Sequence, residues 1–136
     1  MKKGGGFVII RFLVTSGVFL LLDGLWLGLI ASRFYKAQLG GMMADKVNFL
    51  AAGMFYLIYV IALLYFVINP AVKTGQVWQA LWRGAFFGLA MYAAYDLTNL
   101  ATLKGWPVLV TVVDLVWGAA VTAATAALST FIIKHL

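Results

Sequence analysis

Asp96 and Asp114 are two of the four acidic residues in the chain, and both sit in otherwise apolar sequence between Tyr92 and Gly118 (YAAYDLTNLATLKGWPVLVTVVDLVWG). A carboxyl group inside a bilayer costs at least ~2.5 kcal/mol on insertion scales, and it normally faces protein or water rather than lipid. Gly105 lies nine residues from each aspartate. A tight turn over residues 104–107 would therefore join two antiparallel helices and set both carboxyls at one depth, roughly 13 Å below the turn. The same mirror pairs Asn99 with Thr111, so polar groups gather toward the turn. Two carboxyls at one level can divide into an acid and a base, or together hold a cation.

A third carboxyl, Asp23, lies eight residues before the end of the first apolar span at Ala31. That puts it about 12 Å below the same end, so three carboxyls from three helices are expected in one layer. Asp23 is followed three residues later by Trp26, and Asp114 by Trp117. Residues three apart share a helical face, so each helix offers a carboxyl beside an indole. On the third helix Tyr92, Asp96 and Asn99 fall on one stripe, and Tyr56 of the second could add a hydroxyl. The candidate pocket is thus Asp23, Trp26, Tyr56, Tyr92, Asp96, Asn99, Asp114 and Trp117. Plainer readings stand beside it: tryptophans fill cores by default, and Asp96 or Asn99 could cap a helix or tie helices together. Gly24-x-x-x-Gly28 and Gly84-x-x-x-Gly88 read as faces for close helix packing.

Elements able to position these residues are easily found, because hydrophobic residues make up 65% of the chain and charged ones 10%, with mean hydropathy +1.02. A soluble domain carries about 25% charged residues, so the composition is that of an integral membrane protein. No cysteine is present, and the only histidine is His135. Disulfides, thiolate chemistry, zinc–cysteine sites and a Ser–His–Asp triad are thereby excluded, and nothing calls for a metal or cofactor. The net charge of +6 is scattered over loops and ends. It reads as topology signal and contact with membrane lipids, with no nucleic-acid surface.

Taken in order, a leader MKKGGG precedes a first span over residues 7–31, read as a retained helix because it is long, carries Asp23 and lacks a small-x-small cleavage site. Arg11 near its start is expected to snorkel to the interface. A polar loop is expected over residues 32–47, with Gly40-Gly41 as its turn. The second span covers 48–68 and should stop at Asn69-Pro70, since proline cannot continue a helix. The third covers 77–103, opening on Trp78 and Trp82 as interface anchors, and the fourth covers 107–133, with Pro107 at its start. The expected fold is a single all-α membrane domain over residues 1–136, a four-transmembrane-helix up–down bundle. Lys and Arg divide six to four in favour of cytoplasmic termini.

Nearly end to end, the chain resembles a family of small four-helix bacterial inner-membrane proteins known as a domain of unknown function (DUF2177-like). The resemblance is carried by Asp23-x-x-Trp26-Leu-Gly28, Phe34-Tyr35 with Leu39-Gly40, Phe55-Tyr56-x-x-Tyr59 and Pro70-Ala71. It continues through Tyr92-x-x-Tyr95-Asp96-Leu-Thr98-Asn99-x-Ala101-Thr102-Leu-Lys104-x-Trp106 and Asp114-x-x-Trp117-Gly118. It implies a multi-pass protein of the bacterial inner membrane and supplies no activity.

Three functions fit these residues. One is binding or proton-linked transport of a cationic or amphipathic small molecule, drawn by unpaired carboxyls and aromatic faces. One bundle is narrow for a pathway, so transport would call for a homodimer joined through the Gly84–Gly88 faces. Another is a membrane-embedded enzyme that modifies a lipid with paired carboxyls, and the last is a structural or assembly subunit whose polar layer fixes helix register.

Overall fold

The computed structural model describes residues 4–136, with side chains from Phe7 onward, and all regular structure among them is helical. Helix α1 (Gly4–Trp26) runs through a wide π turn (Leu27–Ala31) into α2 (Ser32–Leu39) and a 3₁₀ turn at Gly40–Met42. Helix α3 (Phe49–Leu63) runs through a second π turn (Leu64–Ile68) into α4 (Asn69–Thr74). Helices α5 (Val77–Thr102) and α6 (Val108–Lys134) follow, joined by a turn in which Gly105 has φ +75°.

Three stretches are long and apolar enough to cross a membrane: Phe7–Met42, Phe49–Thr74 and Val108–Lys134. Helix α5 is as long, but Gln79, Arg83, Asp96 and Asn99 lower its hydropathy. Much of the outside is apolar; Leu29, Phe49 and Phe86 are 75%, 78% and 69% exposed. A surface of that kind suits hydrocarbon and not water.

Helix α6 is the centre, with α5, α1 and α4 packed against it. Its buried side is made of small residues, among them Gly118, Thr122, Ala123, Thr125, Ala126 and Ser129. On α5, Gly84 and Gly88 face that side so closely that no side chain fits. A Cβ at Gly84 would come 2.8 Å from Ala126 Cβ and 2.9 Å from the Thr122 carbonyl, and one at Gly88 would strike the Gly118 carbonyl. The Gly84–Gly88 face is therefore consumed inside the chain and is not free to join two copies, a correction to the expected dimer contact. Gly24 and Gly28 differ: a Cβ at either meets nothing within 4 Å.

Other expectations change as well. The polar loop expected from Ser32 is helical as far as Leu39, because Ser32–Leu39 holds no glycine or proline and Gly40, at φ +50°, is the first residue to break it. Asn69-Pro70 does not end the second helix. The Asn69 N–H reaches back five residues to the Leu64 carbonyl, and this wide turn leaves room for the proline ring at the first turn of α4. The helix ends instead at Gly75 (φ +73°), where Gln76 N–H donates to the Ala71 carbonyl at 3.1 Å and Gly75 N–H to Val72 at 3.2 Å. Of the expected leader, Gly4–Gly6 already belong to α1, while residues 1–3 lie outside the described residues. Arg11 does not reach out alone: it donates to Asn69 Oδ1 at 2.7 Å and lies over the Phe7 ring.

Candidate functional site

Near the Gly105 turn the helices part around a cavity of about 440 Å³. Every helix except the short α4 contributes to its wall: Asp23 and Trp26 from α1, Tyr35 and Leu39 from α2, Phe55 and Tyr56 from α3, Tyr92 and Tyr95 from α5, and Val110, Asp114 and Trp117 from α6. Trp106 and Met43 close the turn end. No Lys, Arg or His lines it.

Each lining carboxyl is held by a phenol. Tyr56 donates to Asp23 Oδ2 at 2.8 Å, and Tyr35 donates to Asp114 Oδ1. Tyr35 reaches this position because of the π turn. Twelve residues of regular helix would leave it about 120° away from Asp23 around the axis. The wide turn absorbs about one residue, which brings Tyr35 back to within about 20° of that face. Its partner in the turn is Ser32 N–H, donating to the Leu27 carbonyl. Sequence reading had no signal for this, since Leu27–Ala31 (LGLIA) carries no proline to mark a break.

Asp96 is fully buried behind the cavity wall. Neither of its oxygens has a hydrogen-bond partner. It stands on α5 across the Gly105 hairpin from Asp114 on α6. Asn99, one turn further along α5, is half-buried and takes no part in the lining.

Trp26 and Trp117 stack face to face, ring centroids 4.5 Å apart and planes at 12°. Both aspartates precede their tryptophan by three residues, on helices that run in opposite directions, and all four side chains line the cavity. Both indole N–H groups are buried without an acceptor.

Of the eight candidates, Asp23, Trp26, Tyr56, Tyr92, Asp114 and Trp117 line one cavity, Asp96 stands behind it and Asn99 beside it. Sequence reading missed Tyr35, Phe55, Tyr95 and Trp106. Tyr95 directly precedes Asp96 and meets Trp106 edge to face at 5.7 Å, while Trp106 N–H donates to Thr111 Oγ1 at 3.1 Å. A tryptophan taken only as the start of a helix is thus a wall of the cavity. Tyr92 lies flat because Gly118 has no side chain: a Cβ there would enter the Tyr92 ring.

Neither a curated protein nor a solved structure matches this chain. The family described as Predicted membrane protein (DUF2177) matches residues 8–131, nearly the whole length including every cavity residue, and the chain belongs to that family.

Proposed function

We propose that this is a multi-pass protein of the bacterial inner membrane that crosses it four times, up and down, with both termini cytoplasmic, and that its cavity binds a cationic or amphipathic small molecule. The observation that carries the reading is the lining itself: two carboxyls, Asp23 and Asp114, eight aromatic side chains, and no basic residue among the described residues. An ammonium group there gains Coulomb attraction from Asp23 or Asp114 and cation–π contact from the stacked indoles.

The four-span arrangement is supported by contacts at both ends. Arg11 meets Asn69 and Lys134 donates to the Gly75 carbonyl at 2.8 Å at one end, while Met43 and Trp106 border the cavity at the other. A lipid-modifying enzyme is the second reading, favoured by the carboxyl pair alone, which could divide into acid and base.

Binding of benzyltrimethylammonium to the protein in lipid nanodiscs tests the first reading. Equilibrium dialysis should show saturable uptake that Asp114→Asn and Asp23→Asn each weaken at least tenfold while the helices remain folded by circular dichroism. Equal uptake by the wild type and both variants rejects it.

A further inference from the structure

The cavity is not closed on its α3–α5 side. The second half of that helical stretch, from the Leu64–Ile68 turn through α4, packs against α5, but α3 itself stands off. Between α3 and α5 a second hollow of about 320 Å³ opens, lined by Phe55, Met91, Tyr92 and Tyr95. Phe55, Tyr92 and Tyr95 also line the carboxyl cavity, so the two spaces share a wall of three rings. Tyr59 of α3 and Phe87 of α5 lie with ring centroids 6.4 Å apart. The mouth of the hollow is apolar and wide: Phe55 is 41% exposed and Tyr95 54%, on a surface that faces hydrocarbon.

The geometry points to a single-chain alkylammonium as the ligand, its charged head between Asp23 and Asp114 and its alkyl tail leaving between α3 and α5 into the bilayer. This rests on the cation-binding reading and narrows it to a ligand class and a route. Charge and polarity change in the order such a molecule needs. Two carboxyls lie inside, followed by three shared rings, and then by a hollow whose wall is a phenylalanine, a methionine and two tyrosine faces. Methionine suits an alkyl chain, being unbranched and able to fill irregular gaps. A phospholipid fits less well. The cavity has no positive charge to hold a phosphate, which would stand beside two carboxyls.

Two probes separate head from tail: benzyltrimethylammonium, which fills the cavity only, and dodecyltrimethylammonium, which needs both spaces. Met91→Trp should fill the hollow, lowering dodecyltrimethylammonium affinity at least tenfold in nanodiscs and leaving benzyltrimethylammonium binding unchanged. In the wild-type protein, a dodecyl analogue with a diazirine at the chain end should label Phe55, Met91 or Tyr95, and excess unlabelled compound should remove that label. Lysophosphatidylethanolamine should compete at least tenfold more weakly. Undiminished dodecyltrimethylammonium affinity in Met91→Trp overturns the tail route, as does label confined to the outer residues Phe86 and Val116. Equal competition by the lysophospholipid overturns the ligand class. If the wild type binds no benzyltrimethylammonium at all, the cation reading itself falls, an outcome distinct from loss of the tail effect alone. The photolabelling arm needs no variant, so it decides the matter even if Met91→Trp does not fold.

Discussion

The two halves of the α5–α6 hairpin are built on opposite principles. Away from the turn, Gly84 and Gly88 bring the α5 backbone onto Thr122, Ala123 and Ala126 of α6, with no room for a methyl group. Toward the turn the same helices carry Tyr92, Tyr95 and Trp117, and these rings, with Trp106 in the turn itself, line a cavity. The change takes place within one turn, at Gly118, which receives the Gly88 backbone on one side and the Tyr92 ring on the other. Small residues make membrane helices adhere because van der Waals contact, not the hydrophobic effect, joins helices in lipid. Large rings at fixed spacing do the reverse and leave a site. One half of the hairpin is thus the clamp that lets the other half stay open.

The clamp is the strongest point at which to break this contrast. Gly88→Val should cost about 3 kcal/mol, the upper range for overpacking, because the obstacle is the Gly118 carbonyl and backbone cannot swing aside. Unfolding in mixed dodecylmaltoside–SDS micelles would measure it, and a loss under about 1 kcal/mol would mean the helices part without penalty. A smaller effect is expected at the border between the halves. Tyr59 and Thr122, both fully buried, share a hydrogen bond of 2.5 Å beneath the cavity floor. Tyr59→Phe should cost about 1 kcal/mol in the same measurement, the usual value of one buried hydrogen bond. No change there would show that Thr122 finds another partner.

The smallest effect, and one of opposite sign, belongs to the unclamped glycines. Gly24→Ala meets nothing within 4 Å and should leave stability unchanged or raise it by up to about 1 kcal/mol, the helix preference of alanine. A loss as large as that at Gly88 would show that a second copy covers this face of α1.

The contrast also separates what each level of description could reveal. The turn at Gly105 was legible from the sequence, and residues nine away on either side of it, Asp96 and Asp114, sit on the two helices that it joins. Glycine and threonine spacing likewise marked the packed faces, although it could not tell the occupied Gly84–Gly88 face from the open Gly24–Gly28 one, since both obey the same pattern.

By itself the sequence determined that this chain is helical and made for a membrane, through a hydrophobic content of 65% and runs too long and apolar for a water-soluble fold. It also determined which acidic and aromatic side chains had to be accommodated. Only the tertiary structure decided how they meet. Helix rotation is set by packing against neighbours, and a π turn with no sequence mark turns Tyr35 toward Asp114. The Trp26–Trp117 stack joins α1 to α6 where Asp23 and Asp114 line one cavity. Depth along a helix is a matter of counting residues, but rotation and offset depend on contacts between residues about 90 positions apart in the chain, as Trp26 and Trp117 are.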